Sequence, residues 1–104
     1  MNNDLIIKTL AQQTLSPAKI FILLTCELIP SQMSHIARSL NMSPAGITGA
    51  IDSLEKESLV IRKRNATDRR LVQISTTAKG IARLSKIRAK IEAAMKEEKY
   101  EQPN

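Results

Sequence analysis

Apolar residues recur at steps of three and four positions along the first half of the chain, which predicts a series of amphipathic helices. A first helix is expected over residues 4–13, where Asp4 can cap the N-terminus. A second is expected to begin at Ser16-Pro17, because serine caps a helix and proline at the first helical position gives up no hydrogen bond. It should end at Pro30, which cannot continue a helix.

A third and a fourth helix are expected to follow, with only a short turn between them. The third should begin at Ser31 and end at Asn41, a residue type that readily adopts the left-handed C-cap conformation. Ser43-Pro44 then repeats the pattern of cap and proline and opens a fourth helix over residues 43–57. Two helices joined by so short a turn predict a helix-turn-helix.

After Ser58 the hydrophobic period changes from that of a helix to that of strands. Residues 59–64 are β-branched and then basic, residues 65–68 are turn formers, and residues 69–75 alternate as a strand does. This pattern predicts a β-hairpin with a tip rich in arginine and lysine. A last helix is expected over residues 77–99. The predicted fold class is therefore mainly α with a small β-hairpin.

The length and the composition limit the class of protein. A chain of 104 residues fits one domain, 1–104, with a core over about residues 15–76. No apolar run approaches the roughly 20 residues of a membrane helix, and the N-terminus lacks the basic segment of a signal peptide. One histidine and one cysteine, Cys26, leave no zinc ligand set and no catalytic triad. We expect a cytoplasmic protein with a buried Cys26, no membrane segment, no metal, no cofactor and no enzymatic activity.

The positive charge is concentrated in the second half of the chain. Residues 1–58 hold four basic and five acidic residues, a net charge of −1, whereas residues 59–104 hold twelve basic and five acidic residues, a net charge of +7. A surface of this kind attracts polyanions, with nucleic acid the first candidate and anionic lipid the second. A basic helix face that is merely solvated is the other interpretation that charge alone allows.

Five segments resemble the MarR family of bacterial transcription regulators, whose pattern reads S-x-x-x-V-T, L-E-x-x-G-L-V-x-R, D-x-R and L-T-x-x-G. The matching segments are residues 43–48, 54–60, 62–64, 68–70 and 75–80, within a resemblance that covers about residues 15–90. It implies a winged helix-turn-helix that acts as a homodimer on a near-palindromic operator in double-stranded DNA. It also implies that the recognition helix 43–57 lies in the major groove and the basic wing 62–70 in the flanking minor groove.

The residues assigned to DNA contact lie on the outer face of the fourth helix and on the wing. They are Ser43, Ala45, Gly46, Thr48, Gly49, Ser53, Arg62, Lys63, Arg64, Arg69 and Arg70. A glycine within a helix costs about 1 kcal/mol relative to alanine, so the two glycines predict a close approach to DNA or to a neighbouring helix. The resemblance implies that Asp68 orients Arg70. Ser58 replaces the usual glycine of the family, and Gly49 and Ser53 stand where members often have basic residues.

Apolar side chains on the two terminal helices, residues 4–13 and 77–99, are assigned to dimerisation. They are Leu5, Ile6, Leu10, Ile81, Leu84, Ile87, Ile91 and Met95. The short winged-helix core is expected to leave the stripe on the last helix uncovered, and a twin subunit would cover it. A basic amphipathic helix that lies on a membrane is the other interpretation of this segment.

The sequence thus predicts a dimeric, sequence-specific DNA-binding regulator, a repressor that occludes a promoter. The alternative is a winged-helix adaptor whose basic wing meets an acidic protein partner. Replacing Arg69 and Arg70 separates the two, because an adaptor has no DNA binding to lose. The sequence identifies neither the operator nor a small-molecule effector.

Overall fold

The computed structural model describes residues 4–11 and 15–101, with side chains in 4–9 and 15–97. Within these ranges the chain forms five helices and three strands. In chain order they are α1 (Asp4–Ala11), α2 (Pro17–Thr25), β1 (Ser31–Gln32), α3 (Met33–Ser39), α4 (Pro44–Lys56), β2 (Val60–Arg64), β3 (Val72–Thr76) and α5 (Ala78–Glu101). Residues 12 and 13 of the predicted first helix, and the side chain of Leu10, lie outside the described residues.

Local capping chemistry determines where α2 and α4 begin. The Ser16 hydroxyl accepts a hydrogen bond from the N–H of Lys19 at 3.3 Å, and the Ser43 hydroxyl accepts one from the N–H of Gly46 at 3.0 Å. Proline occupies the next position in both helices. At the end of α3, Asn41 has a φ of 52°, the left-handed conformation expected of it. The predicted starts of both helices and the left-handed conformation of Asn41 are confirmed, whereas α2 ends at Thr25 and not at Pro30 as predicted.

The prediction that Ser31 opens the third helix is wrong. Ser31 and Gln32 form the short strand β1, which pairs antiparallel with Ile74 and Gln73 of β3. Helix α3 begins only at Met33, and the residue before it makes no capping hydrogen bond through its side chain. Because the partner strand lies far along the chain, no local pattern of residues signals β1.

The sheet is therefore three-stranded and antiparallel, in the order β1-β3-β2, rather than a hairpin alone. The turn between β2 and β3 is longer than predicted, since Arg69 and Arg70 lie in it and not on the second strand. Asn65 closes this turn. Its N–H donates to the carbonyl of Leu71, and its side-chain oxygen accepts from the N–H groups of the second and third residues after it.

One apolar core joins the helices to the sheet. Helices α2, α3 and α4 pack on one another or on the sheet, and α5 packs on α2 and β3. The largest fully buried side chains are Ile22, Leu23, Ile36, Ile51, Leu54, Leu59, Ile74 and Leu84. Cys26 is buried as predicted, and its removal from water raises the pKa of the thiol. Such a thiol stays protonated at neutral pH.

Part of the stripe assigned to dimerisation belongs to the core of the protein itself. Leu84 and Ile87 are 1% and 3% exposed, because this side of α5 packs on α2 and the sheet. The expectation that they lie uncovered is wrong, since the chain covers them with its own helices. They are not surface residues that a second subunit could reach.

The remaining apolar positions of the terminal helices are more accessible. On α5, Ile81 and Met95 are exposed and Ile91 is half-buried. On α1, Leu5 and Ile6 are half-buried, and this helix packs on α5. The two terminal helices thus form one unit that presents apolar side chains at its surface.

A threonine and a glycine hold the start of α5 against the segment that follows α4. The Thr77 hydroxyl donates to the carbonyl of Ser58 at 2.6 Å and accepts from the N–H of Gly80 at 3.1 Å. A Cβ on Gly80 would stand 2.4 Å from the carbonyl oxygen of Leu59. Only glycine fits at this crossing, which gives the T-x-x-G motif its physical reason.

Ser58 ends α4 in a conformation that costs free energy. The N–H of Leu59 donates to the carbonyl of Leu54, and the N–H of Ser58 donates to the carbonyl of Glu55, as in a Schellman motif. The motif places Ser58 at a φ of 62°. The left-handed conformation costs a residue with a Cβ about 1 kcal/mol of free energy, and it has no such cost for glycine.

We expect Ser58→Gly to stabilise the fold by about 0.5–1 kcal/mol, because it removes the Cβ from a left-handed residue. Urea unfolding monitored by circular dichroism measures the difference. Ser58→Ala is the matched control, since it deletes the hydroxyl and keeps the Cβ. A Ser58→Gly protein that is no more stable than Ser58→Ala would contradict this account.

Candidate nucleic-acid interface

The outer face of α4 carries small and polar residues that are open to solvent. Its inner side, through Ile47, Ile51 and Leu54, is buried in the core. The positions assigned to DNA contact lie on the opposite side, where Ser43, Ala45, Gly46 and Gly49 are exposed and Thr48 is half-buried. The helix therefore presents a nearly smooth surface on which a ligand can approach the backbone closely.

The two glycines of α4 are not explained by packing against a neighbouring helix. A Cβ on Gly49 would have nothing within 4 Å. A Cβ on Gly46 would meet only the hydroxyl of Ser43 at 3.1 Å and the end of the Met42 side chain at 3.7 Å, both from the segment just before it. Close packing within the chain is thus excluded for Gly49, and the approach of DNA to this glycine stays a prediction.

Ser53 is engaged inside the protein rather than free on the outer face. Its hydroxyl accepts a hydrogen bond from the Lys19 ammonium of α2 at 2.9 Å. This contact brings a cation next to the C-terminal half of α4, and sequence reasoning missed it. The two residues belong to separate helices, so neither pattern nor spacing connects them.

Arg62 points to α4 rather than to the tip of the wing. Its guanidinium forms ion pairs with Asp52 and, at 3.6 Å, with Glu55, and 18% of its side chain is exposed. Its Nε is buried and has no hydrogen-bond partner among the described residues. These pairs join β2 to α4. The prediction that Arg62 contacts DNA remains a prediction, for a side chain that already has two partners.

Sequence reasoning missed the two carboxylates that hold Arg62, although a signal was present. Asp52 and Glu55 are three positions apart, so they share one face of α4. Two carboxylates on one helix face favour a cation nearby. The strand that follows has its first basic residue at Arg62, which could have been predicted as that cation. The pairing also neutralises negative charge on the helix that would otherwise repel a polyanion.

Asp68 forms a bidentate ion pair with Arg70, as the resemblance implies. One carboxylate oxygen accepts from the backbone N–H and the Nε of Arg70 at 3.1 and 3.0 Å, and the other accepts from its Nη2 at 3.0 Å. These hydrogen bonds lower the pKa of the Asp68 carboxyl and raise the pKa of the Arg70 guanidinium. The pair orients a guanidinium whose side chain is still 89% exposed.

Four cations lie at the tip of the wing and are open to solvent: Lys63, Arg64, Arg69 and Arg70. Arg64 is tied across the tip, since its Nη1 donates to the carbonyl of Arg69 at 3.0 Å. Asp68 is the one carboxylate among residues 63–71, which include all four cations. The tip thus has the charge, and part of the preorganisation, that binding to a phosphate backbone requires.

Two other kinds of site are not present among the described residues. No group of three or more histidine, cysteine, aspartate or glutamate side chains in 4–9 and 15–97 could hold a metal ion. No helix in the described part of the chain is long and apolar enough to cross a membrane.

Helices α3 and α4, joined by a short turn and followed by a basic hairpin, form a winged helix-turn-helix. A profile of the MarR family matches residues 15–72, from just before α2 to the first residue of β3. The chain belongs to the MarR family. This membership confirms the resemblance found in the sequence, and the architecture confirms the predicted fold class.

Two bacterial relatives support the same assignment. The chain is 29% identical over 90 residues to the HTH-type transcriptional repressor MdtR of Bacillus subtilis. The alignment covers 86% of this chain and 58% of MdtR. It is 35% identical over 74 residues to the HTH-type transcriptional repressor YetL of the same species. This alignment covers 64% of this chain and 44% of YetL. The chain thus spans about half the length of these curated relatives.

Two solved structures share the fold over nearly the whole chain. The YusO protein of Bacillus subtilis superposes with a TM-score of 0.84 at 24% identity, over 98% of this chain and 73% of YusO. The transcriptional regulator BldR of Sulfolobus solfataricus superposes with a TM-score of 0.76 at 26% identity, over the same shares of the two chains. At this level of sequence identity the superpositions show the fold alone. They do not identify the functional residues.

Proposed function

We propose that this protein is a sequence-specific, double-stranded DNA-binding repressor that acts in the cytoplasm as a homodimer on a near-palindromic operator. The observation that carries the proposal is the pair of surfaces described above. The outer face of α4 leaves open space at Gly49, and the wing beside it exposes four cations. Membership of the MarR family supports the same conclusion.

Helix α4 is proposed to lie in the major groove, where small residues let its backbone come close to the base edges. Thr48 can donate or accept a hydrogen bond there, and the Ala45 methyl can contact a thymine methyl. No arginine, asparagine or glutamine lies on this face to make a bidentate contact with a base. The helix is therefore proposed to select DNA more by shape and position than by direct readout.

The wing is proposed to supply most of the affinity, through phosphates and the flanking minor groove. Arginine is favoured in a narrow minor groove because the negative potential is strongest there. Arg69 and Arg70 lie in the turn, where they can reach furthest from the body of the protein. Arg62, held by Asp52 and Glu55, is proposed to fix the angle between the wing and α4 in addition to its predicted contact with DNA.

The terminal helices α1 and α5 are proposed to pair with those of a second subunit. Exposed apolar side chains on this unit, Ile7, Ile81 and Met95, are 60%, 40% and 53% exposed and would be covered by a partner. A two-fold symmetric dimer presents two recognition helices to half-sites about 34–36 Å apart. Sedimentation equilibrium of the purified chain tests the assembly, and a monomer at micromolar concentration would contradict it.

The experiment that tests the proposed function is the selection of genomic duplex fragments by the purified protein, followed by fluorescence anisotropy on the fragment recovered. We expect saturable binding that weakens steeply with salt, with a slope of log K against log salt near −0.9 per phosphate contacted. A protein that binds no fragment at low salt would contradict the proposal. Capture of an acidic protein instead would then favour an adaptor.

Gly49→Ala is expected to change stability and DNA binding in opposite directions. Alanine is the better helix former and its methyl group would meet open space, so the fold should gain about 0.5–1 kcal/mol. The same methyl group projects from the face proposed to enter the groove, so DNA affinity should fall roughly tenfold, about 1.4 kcal/mol. Urea unfolding and anisotropy on the selected fragment measure the two effects. A more stable variant with unchanged affinity would remove this glycine from the interface.

A further inference from the structure

Arg38 has no part in the roles described so far. Arg38 lies on α3 and is exposed. Among the described residues it takes part in no side-chain hydrogen bond or ion pair, whereas Arg62, Arg70 and Arg88 each bind a carboxylate. An exposed guanidinium without an internal partner is free to bind an external anion.

The side chain of Arg38 lines a cleft of about 400 Å³ between α3, α4 and the wing. Arg70 reaches the same cleft from the wing, so two guanidinium groups from different elements line it. Ser34 and Thr48 add hydroxyl groups, and Met33 and Val72 contribute apolar walls. No aspartate or glutamate is among the lining residues. The cleft therefore combines positive charge, hydrogen-bond donors and an apolar surface.

Arg70 retains donors for a ligand in this cleft. A guanidinium has five N–H groups, and Asp68 accepts from Nε and one N–H of Nη2. The other three N–H groups have no partner among the described residues. Asp68 thus fixes the direction of Arg70 and leaves it able to bind an anion next to Arg38.

We propose that Arg38 and Arg70 together hold one phosphodiester of the bound duplex, with the adjoining sugar against the apolar wall. The inference rests on the proposed function and extends it to a residue outside the recognition helix and the wing. If α4 lies in the major groove and the wing in the next minor groove, the sugar-phosphate strand between the grooves must cross the gap between them. The cleft occupies that gap.

The salt dependence of DNA binding tests the role of Arg38. Arg38→Ala is expected to weaken binding to the selected fragment about five- to tenfold, and to make the log–log salt slope less steep by less than about 0.9 per subunit, because Arg70 still contacts the same phosphate. Arg38→Lys keeps the charge and should restore most of the slope. Lys86→Ala removes one exposed cation of α5 outside the cleft and should leave both affinity and slope unchanged. Thermal unfolding of each variant should match that of the parent protein.

Each alternative result points to a different conclusion. Wild-type affinity and slope for Arg38→Ala, beside a loss for Arg69→Ala/Arg70→Ala, would overturn this inference and leave the proposed function standing. A weaker Arg38→Ala with an unchanged slope would show a structural role and overturn it as well. The double variant Arg38→Ala/Arg70→Ala should lose less than the sum of the single losses, and strict additivity would contradict a shared phosphate. Absence of DNA binding by the parent protein would refute the proposed function itself.

Discussion

Replacing Arg69 and Arg70 together by alanine is expected to weaken binding to the selected duplex by roughly 100-fold or more at physiological salt. Both side chains are exposed in the turn of the wing. The change removes two cations per subunit and leaves Asp68 without its partner, so the tip also gains an unpaired negative charge. If each arginine contacts one phosphate, a dimer loses four contacts, and the salt slope should become less steep by about 3 to 4.

The matched control removes the same charge from another surface. Lys86→Ala/Lys90→Ala takes two exposed cations from α5, outside the wing and α4. The net charge is the same in both double variants, so a general attraction between a basic protein and DNA would fall equally in both. Equal losses in the two variants would show that the wing has no special role. A loss confined to the wing variant supports the proposed contact.

Gly80→Ala is expected to destabilise the fold by about 3 kcal/mol. The new Cβ would stand 2.4 Å from the carbonyl oxygen of Leu59 and 2.6 Å from Cγ2 of Thr76. The Leu59 carbonyl cannot easily move away, since it accepts the N–H of Thr77 at 3.0 Å and Leu59 itself is fully buried. Relief therefore requires that the start of α5 shift away from β2.

The same substitution elsewhere in the chain provides the control for this effect. Gly49→Ala is also a glycine-to-alanine change within a helix, but its Cβ would meet nothing within 4 Å. The two variants should change the free energy of urea unfolding with opposite signs. A Gly80→Ala protein as stable as the parent would mean that the close approach to Leu59 is not rigid in solution.

The features of the fold that were predictable from sequence depend on residues within one helical turn of each other. Ser16 and Ser43 cap their helices through an N–H three positions later, and Asn41 adopts the left-handed conformation that its short amide side chain tolerates. The pairing of Asp68 with Arg70 is equally local, and it entered through the family pattern. Each of these signals is contained in a few consecutive residues.

The features that sequence reasoning missed depend on partners far along the chain. Ser31 is a strand residue because β3 offers it a hydrogen-bonding edge, and Arg62 is turned inward because Asp52 lies opposite. The stripe of α5 illustrates a further limit. Its period shows correctly that one face is covered, but it does not say by what, and Leu84 and Ile87 are covered by the chain's own α2 and sheet.

The central claim is that α4 and the wing bind adjacent grooves of one duplex, and methylation interference on the selected fragment tests it most directly. Methyl groups on guanine N7 lie in the major groove, and those on adenine N3 lie in the minor groove. We predict interference from N7 at the centre of each half-site and from N3 at its flank, with only the N3 signal lost in Arg69→Ala/Arg70→Ala. Interference confined to one groove, or the loss of both signals together in that variant, would contradict the account.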